Sequence, residues 1–255
     1  MVPSKRSSEA REPRRFDKTA LTHKSHGEFV HRDYLAHCLR WGWAAKMIKL
    51  GQSVLDVGCG VEAPLAVVLS NTNFVHGGQY VGVDMNRKIR QGGGRGWCRV
   101  IPEFDFTARY KELGLFDIVT NFEVIEHMPK TDGPVLLRAM RECLKPGGRL
   151  LLSTPVFNGK AARNHTGPEG PREYTVRELQ EAIESSGLRV VERRGTFASY
   201  HPIKKVLTPA HLEVYEELRE FFGDDLMACF LAPLYPDASR NCFWVLERTT
   251  GGAGA

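Results

Sequence analysis

The sequence of 255 residues lacks any apolar run that approaches the ~20 residues a helix needs to cross a bilayer, and its N-terminus lacks the apolar core of a signal peptide. It also lacks a Cys-x-x-Cys pair, since its six cysteines lie scattered at positions 38, 59, 98, 143, 229 and 242. Scattered thiols favour neither a disulfide framework nor a zinc site. With 42% hydrophobic residues and no internal repeat, we expect one globular domain in the reducing cytoplasm, with no membrane partner.

The formal net charge of +5 is concentrated at one end of the chain. Residues 1–27 contain seven Lys/Arg and three Asp/Glu, so they carry +4, and residues 28–255 carry only +1. A nearly neutral body gives no support for a nucleic-acid substrate. We therefore predict a disordered basic tail over residues 1–27 and a single folded domain over residues 28–250.

Two short apolar runs each end in a carboxylate. Residues 53–60 read Ser-Val-Leu-Asp-Val-Gly-Cys-Gly, and residues 80–84 read Tyr-Val-Gly-Val-Asp. Each run has the length of a buried parallel strand, and Gly58 and Gly60 let the backbone turn tightly beside a ligand. Asp84, at the end of the second run, can accept two hydrogen bonds from a ribose diol. The two runs predict a nucleoside pocket at the carboxyl edge of an open α/β sheet.

The glycine loop lacks the third glycine of a dinucleotide-binding fingerprint. In G-x-G-x-x-G a helix N-terminus meets a pyrophosphate, but here Gly60 is followed by Val61, Glu62 and Ala63. Glu62 would bring a negative charge to the place of the pyrophosphate. Asp56, just inside the turn, suits a cationic ligand with a free ammonium group. The loop therefore favours S-adenosylmethionine (SAM) over NAD.

Four blocks follow one another at workable spacing: Val54-Leu-Asp-Val-Gly-Cys-Gly60, Val81-Gly-Val-Asp84, Phe116-Asp-Ile-Val-Thr-Asn-Phe-Glu-Val-Ile-Glu-His127 and Leu144-Lys-Pro-Gly-Gly-Arg-Leu-Leu-Leu-Ser-Thr-Pro155. With these blocks, roughly residues 50–195 resemble the class I SAM-dependent methyltransferases, in particular small-molecule enzymes that carry Glu-Val-Ile-Glu-His. Glu62, where the family often has glycine, and the long interval from Asp56 to Asp84 are departures. The resemblance implies a Rossmann-like sheet, SAM as cofactor, and methyl transfer to an oxygen or nitrogen of a small-molecule acceptor.

The fold expected from the periodicity and the resemblance is a seven-stranded, doubly wound α/β sheet with an N-terminal helix and a helical insertion before the last strand. Strands are predicted at residues 53–57, 80–84, 98–101, 116–121, 149–153, 188–194 and 241–247. Helices are predicted at 28–50, 63–70, 132–144 with a stop at Pro146-Gly-Gly148, 175–187 with a capping box, and 209–222. The last of these lies in the insertion, about 197–240. Its apolar residues favour packing on the sheet, and the whole segment could also form a lid.

The resemblance assigns the cofactor to residues at or just after the ends of the first four strands: Asp56, Gly58, Gly60, Asp84, Met85, Asp105, Phe106 and Asn121. It implies that Asp105 accepts from the adenine amino group, with Glu103 as a near competitor, and that Phe106 offers an apolar face to the ring. Met85 could also cover the adenine. Asn121 and Phe122 are expected beside the methionine moiety.

The segment Glu-Val-Ile-Glu-His allows two interpretations. Glu123, Glu126 and His127 are expected on one face of a helical turn. With His165 they resemble the two-Glu, two-His metal set of the small-RNA 3′-terminal 2′-O-methyltransferases, whose O and N ligands suit a divalent ion. The same segment occurs in metal-free small-molecule enzymes. Because His165 stands without the second histidine of the RNA enzymes, we predict that no metal is bound and that Glu123 turns toward the cofactor or caps the following segment.

The expected chemistry is in-line transfer of the SAM methyl group to an aligned nucleophile. His127 is the preferred general base, because imidazole titrates near neutral pH; Glu126 and His165 are alternatives, and a structural role for His127 is the other interpretation. No Asp-Pro-Pro-Tyr, Asn-Pro-Pro-Tyr or Pro-Cys follows the fourth strand, which argues against DNA amino and cytosine C5 methylation. A SAM-binding protein without catalysis is the alternative of a different class. His31, Arg32 and Tyr34 on the N-terminal helix could contact the acceptor, and a solvated helix surface is the other interpretation.

Overall fold

The computed structural model describes residues 32–89, 96–157, 166–198 and 200–249. Its strands are β1 (Ser53–Val57), β2 (Gln79–Val83), β3 (Cys98–Ile101), β4 (Phe116–Phe122), β5 (Leu144–Pro155), β6 (Thr166–Gly167), β7 (Gly170–Pro171), β8 (Leu188–Phe197) and β9 (Asn241–Arg248). β6 and β7 pair only with each other. The others form one sheet in the order β3-β2-β1-β4-β5-β9-β8, in which β9 runs antiparallel to both neighbours. This confirms the predicted seven-stranded α/β sheet.

The strand order places a topological switch point between β1 and β4. The chain proceeds outward from β1 through β2 to β3, then crosses back to β4 and proceeds the other way to β5. In open α/β sheets, ligands bind outside the carboxyl ends of the strands at such a point. The ends of β1 and β4, at Val57 and Phe122, therefore mark the expected site.

The described helices are α1 (Arg32–Met47), α2 (Pro64–Ser70), α3 (Phe106–Arg109), α4 (Gly133–Glu142), α5 (Val176–Ser185), α6 (Tyr200–Lys204) and α7 (Pro209–Phe230). α5 begins with the predicted capping box, in which the Thr175 hydroxyl accepts from the Glu178 amide and the Glu178 carboxylate accepts from the Thr175 amide. Gly187, with a φ of 73°, follows its end. No helix within the described ranges is long and apolar enough to cross a membrane.

Alternate side chains of the central strands pack on opposite faces of the sheet. Leu55 and Val119 lie on the face that α4 and α5 cover, whereas Val54 and Ile118 lie on the face that α1 and α2 cover. This alternation follows from the two-residue period of a strand. Both faces are buried, as expected for mainly parallel strands.

Two predicted boundaries differ from the structure. Pro146-Gly-Gly148 does not stop a helix; it lies in an irregular stretch of β5, where Phe116 pairs with Leu144 but Ile118 pairs with Arg149. A Cβ on Gly148 would lie 3.0 Å from three backbone carbonyl oxygens, so the close approach requires glycine. The helix predicted over 209–222 continues to Phe230 beyond a non-helical Gly223.

The predicted tail over 1–27 and the start of the N-terminal helix lie outside the described residues. All six cysteines are free thiols, as predicted.

Candidate active site

The loop after β1 carries both predicted glycines in left-handed conformations. The φ of Gly58 is 76° and that of Gly60 is 71°. The amide of Gly58 donates to the Val83 carbonyl at 2.8 Å, which fixes the loop beside the end of β2. A Cβ at Gly58 would lie 2.3 Å from Val124, whereas one at Gly60 would meet nothing within 4 Å. Gly58 is therefore needed for packing, and Gly60 has open space beside it.

Asp84 connects the loops that follow β1 and β2. One carboxylate oxygen accepts from the Gly60 amide at 2.9 Å, and the other accepts from the Asn86 amide at 2.8 Å. Each oxygen keeps a lone pair for a ligand hydroxyl, since a carboxylate can accept about four hydrogen bonds. The ribose contact of Asp84 stays a prediction, as does adenine contact by the neighbouring Met85, which is 73% exposed.

Asp56 lies beneath the loop rather than in it. Its side chain is only 4% exposed, and its two oxygens accept from the Tyr80 hydroxyl and the Thr120 hydroxyl, each at 2.7 Å. Burial raises the pKa of Asp56 to about 6, and the charge of Asp84 adds to this rise. These bonds tie β1 to β2 and β4, so Asp56 sets the frame of the site. Direct contact between Asp56 and a ligand ammonium stays a prediction.

The residues after β3 divide between surface and core. Asp105 is exposed and forms the N-cap of α3, where one of its oxygens accepts from the Ala108 amide at 3.2 Å and the Thr107 hydroxyl at 2.8 Å. Phe106 is 6% exposed and packs against Tyr110. Of Asp105 and Phe106, only Asp105 is exposed to solvent, and so is its competitor Glu103. The adenine roles of both residues stay predictions.

Asn121 is fully buried at the end of β4, beside the end of β1. Its Nδ2 donates to the Val57 carbonyl at 3.0 Å, which locks β4 against β1. Its Oδ1 has no hydrogen-bond partner among the described residues. A buried acceptor without a donor is costly, so a ligand donor at this point would satisfy a group that the protein leaves unpaired.

Glu123 follows β4 and has a φ of 57°, in the left-handed region. Its carboxylate accepts from the Ser153 hydroxyl at 3.0 Å and from the Asn241 amide at 2.8 and 3.0 Å, and it forms an ion pair of 3.1 Å with Arg40 of α1. Burial opposes ionisation, but the charge of Arg40 and the hydrogen bonds outweigh it and lower the pKa of Glu123. Glu123 is therefore an ionised carboxylate that holds three elements of the fold together.

Glu126 and His127 lie in a 3-10 helix (Ile125–His127) and point to different environments. Glu126 is 1% exposed and accepts from the Thr154 hydroxyl at 3.0 Å, whereas His127 is exposed. Burial and the charge of Glu123 raise the pKa of Glu126 well above its usual range. The prediction that these three residues share one face of a helical turn is wrong, because Glu123 precedes the turn in a left-handed conformation.

The four residues considered as metal ligands lie partly inside and partly outside the described ranges. Within the described ranges, no group of three or more His, Cys, Asp and Glu side chains is placed to hold a metal ion. His165, the fourth residue of the predicted set, lies outside those ranges. The prediction that no metal is bound therefore stays a prediction.

A sequence profile of the family described as "Methyltransferase domain" matches residues 26–193. The chain belongs to this family. A ubiquinone biosynthesis O-methyltransferase of Coxiella burnetii is 28% identical over 228 residues, which cover 80% of this chain and 92% of that relative. Together with the strand-end motifs, these matches identify a SAM-dependent methyltransferase.

Solved methyltransferase structures share the fold at low sequence identity. The 1,6-didemethyltoxoflavin-N1-methyltransferase of Burkholderia thailandensis, with bound 1,6-didemethyltoxoflavin and S-adenosylhomocysteine, has a TM-score of 0.55 at 15% identity and covers 85% of this chain and 80% of its own. A mitomycin 7-O-methyltransferase has a TM-score of 0.53 at 17% identity and covers 82% of this chain and 53% of its own. At these identities the likeness establishes the fold and leaves the acceptor open.

Two observations indicate that the residues at this site can accommodate SAM. The space beside Gly60 is open, so a ligand can approach the backbone there. The unpaired Oδ1 of Asn121 can accept from an ammonium group. By contrast, a cavity of about 370 Å³ lined by Ser53, Gln79 and Phe116 lies where β1, β2 and β4 begin, at the opposite edge of the sheet.

Sequence reasoning missed four residues that shape the site. Tyr80 and Thr120 occupy strand positions that read as ordinary core, yet they donate to Asp56. Arg40 and Asn241 lie far from Glu123 along the chain, at separations that no local pattern covers. One signal could have indicated Arg40: it is a basic residue between the apolar residues of α1 that face the sheet. Long charged side chains are rarely buried in such a place without a partner.

Proposed function

We propose that this methyltransferase transfers the methyl group of SAM to a hydroxyl oxygen of a small aromatic acceptor, with His127 as the general base. The observation that carries the proposal is an aromatic wall made of Trp43, Phe122 and Phe243. The Phe243 ring lies 5.4 Å from Trp43 and 5.8 Å from Phe122, between centroids. Phe122 directly joins Asn121 to Glu123, so the wall begins at the switch point. Phe243 is buried in the core, and the partly buried rings of Trp43 and Phe122 that pack against it would pair with a planar apolar molecule.

The relatives support the same acceptor class. The Coxiella burnetii relative is named an O-methyltransferase of ubiquinone biosynthesis, and the named acceptors of the solved neighbours are small molecules. We extend this class to the present chain, together with the Glu-Val-Ile-Glu-His subgroup. The nearly neutral body of the protein, at +1 over residues 28–255, agrees with an uncharged or weakly charged acceptor.

Exposure and existing contacts favour His127 over the other candidate bases. SAM supplies an electrophilic methyl group, so the protein has to align the acceptor hydroxyl and receive its proton. Glu126 is only 1% exposed and already accepts from the Thr154 hydroxyl, so its carboxyl group is not open to an acceptor. Glu123 is ionised but already occupied by Arg40, Ser153 and Asn241. His127 is exposed five residues beyond the end of β4 and can take the proton on to solvent.

A transfer assay with methyl-labelled SAM tests the proposal. The acceptors are a set of phenols, matched aliphatic alcohols and amines, and a short RNA with a free 3′-terminal 2′-hydroxyl, each with and without a chelator. We expect label on the phenols, undiminished by the chelator. Label on RNA that chelator abolishes and manganese restores would establish the metal-assisted alternative. SAM binding by calorimetry without label on any acceptor would instead favour a SAM-binding protein that does not catalyse.

A further inference from the structure

We infer that Arg40 is the built-in counter-cation of the Glu123–Glu126 carboxylate pair, and that through Glu123 it positions α1 as one wall of the acceptor site. The inference deepens the proposed function, because it assigns a positioning residue for acceptor binding. Nothing in the local sequence around Glu-Val-Ile-Glu-His points to this arginine, which lies on a helix that precedes β1.

The surroundings of Arg40 show that Glu123 balances its buried positive charge. The Arg40 side chain is 2% exposed, its Nη2 lies 3.1 Å from Glu123, and its Nε has no hydrogen-bond partner among the described residues. Its Nη1 lies 2.6 Å from Nδ1 of His37. A guanidinium has only donors, so this His37 nitrogen accepts and cannot carry a proton in the same contact. Glu123 is thus the group that balances the buried positive charge.

Glu123 in turn depends on Arg40 to remain where it is. A left-handed conformation is unfavourable for a residue with a Cβ and persists only when surrounding contacts hold it. Those contacts come from three separate elements: Ser153 on β5, Asn241 on β9 and Arg40 on α1. Of the three side chains, only Arg40 supplies a charge.

Arg40 is the cation that acts most strongly on Glu123, and its charge also acts on Glu126. The charge of Glu123 acts on Glu126, whose only described side-chain hydrogen bond comes from the neutral Thr154. Adjacent carboxylate oxygens are the ligands that hard divalent ions such as Mg²⁺ and Mn²⁺ prefer. Arg40 neutralises this negative charge from within the protein. Removal of the Arg40 charge should therefore create affinity for a divalent ion.

Arg40 acts on the acceptor side because of its position in α1. Trp43, one turn further along the helix, packs against Phe243 of the aromatic wall. None of the described hydrogen bonds or ion pairs of Arg40 reaches Gly58, Gly60 or Asp84. Loss of the ion pair should therefore release the wall and weaken acceptor binding while SAM binding persists.

The test compares Arg40→Met, Arg40→Lys and the control Arg248→Met. Arg248 also has a buried Nε without a partner, but it lies at the other end of β9 from Asn241. For Arg40→Met we expect the acceptor KM to rise by about tenfold or more, while the Kd for SAM stays within about twofold. Arg40→Lys should restore most of the loss, and Arg248→Met should change neither constant.

Manganese binding gives a readout that needs no acceptor. Electron paramagnetic resonance should detect Mn²⁺ bound by Arg40→Met but not by the wild type, and Glu123→Gln in the same background should abolish it. If Arg40→Met does not fold, Glu123→Gln alone should raise the acceptor KM with SAM affinity retained. Equal losses of acceptor and SAM binding, or no gain of Mn²⁺ affinity in folded Arg40→Met, would overturn the inference even if the proposed acceptor is correct. A wrong acceptor would leave the Mn²⁺ result intact.

Discussion

The two sides of the active site are built from different kinds of contact. The proposed cofactor side consists of Asp56, Gly58, Gly60 and Asp84. Its side-chain bonds span 24 positions of the sequence to Tyr80 and to the Gly60 amide, and 64 positions to Thr120. The proposed acceptor side consists of Arg40, Glu123, Glu126, His127 and Asn241, and the Asn241–Glu123 bond alone spans 118 positions. The first side joins the central strands β1, β2 and β4, whereas the second also needs α1, β5 and β9.

This difference implies that the two sides can change independently. The glycine loop positions backbone amides, which any sequence with the same turn would provide. The acceptor side relies on single side chains from α1, β5 and β9, each of which one substitution removes. We therefore expect substitutions on the acceptor side to alter acceptor use without loss of SAM binding, and the reverse on the cofactor side.

The largest expected effect tests the acceptor side. His127→Ala should lower the methyl-transfer rate by about 10²–10⁴-fold, because a general base contributes that much, while the Kd for SAM stays unchanged. The measurements are single-turnover rates and calorimetry. His76→Ala is the matched control, since His76 is an exposed histidine just before the start of β2, at the opposite edge of the sheet. A rate for His127→Ala equal to that of the control would leave His127 a structural residue.

The next effect is a pH dependence on the cofactor side. Because burial raises the pKa of Asp56 from 3.8 to about 6, the folded protein holds a proton in this interval that the unfolded chain has released. The contribution of Asp56 to the free energy of unfolding should therefore fall as pH rises from about 4 to about 6, by about 3 kcal/mol, and then level off. Urea unfolding across this range should show a steeper slope in the wild type than in Asp56→Asn, in which the raised pKa of Glu126 still contributes a slope of the same sign.

Tyr80→Phe sharpens the same prediction. The Tyr80 hydroxyl donates to Asp56 and thereby lowers its pKa, so its removal should extend the falling slope to higher pH. Bound SAM should have the opposite effect if its ammonium favours the ionised carboxylate. Calorimetry near pH 6 in buffers of different ionisation enthalpy would then detect proton release on binding. Identical slopes in the wild type and Asp56→Asn would show that another group causes the pH dependence.

The fold and the identity of the cofactor were predictable from sequence because their signals are local. Apolar runs of strand length located all seven strands of the sheet, and Thr175, Glu178 and Gly187 marked the ends of α5. Pro146-Gly-Gly148 misled because the same residues that end a helix also permit a strand irregularity. Such a choice depends on the neighbouring strand, which the local pattern does not contain.

The acceptor side could be predicted only in part. Glu123, Glu126 and His127 were recognised as important, but their spacing indicated a helical face that the left-handed Glu123 removes. The spacing could not show which distant group neutralises Glu123, since Arg40 and Asn241 are joined to it by the fold and not by the sequence. It could be predicted that a buried charge would have a partner of opposite charge, but the identity of that partner could not.

A moderate effect is expected at Asp84. Asp84→Ala should weaken SAM binding by about 1–3 kcal/mol, because it removes a charged acceptor from the ribose and releases the Gly60 and Asn86 amides. Asp117→Ala is the control: Asp117 also accepts from a backbone amide, that of Ser53, but at the amino edge of the sheet. The control should lose stability and retain SAM affinity. If both variants bind SAM like the wild type, Asp84 does not contact the ribose.

The smallest expected effect separates backbone strain from ligand contact. Gly51 and Gly60 have φ angles of 81° and 71°, and an added Cβ would meet nothing within 4 Å at either position. Alanine at either site should therefore destabilise the fold by a similar amount, about 1–2 kcal/mol, as measured by urea unfolding. Only Gly60 borders the expected place of SAM, so Gly60→Ala alone should also raise the Kd for SAM, by about fivefold. Equal Kd values for the two variants would mean that SAM does not approach the backbone of Gly60. That result would count against a SAM site at the carboxyl edge between β1 and β4.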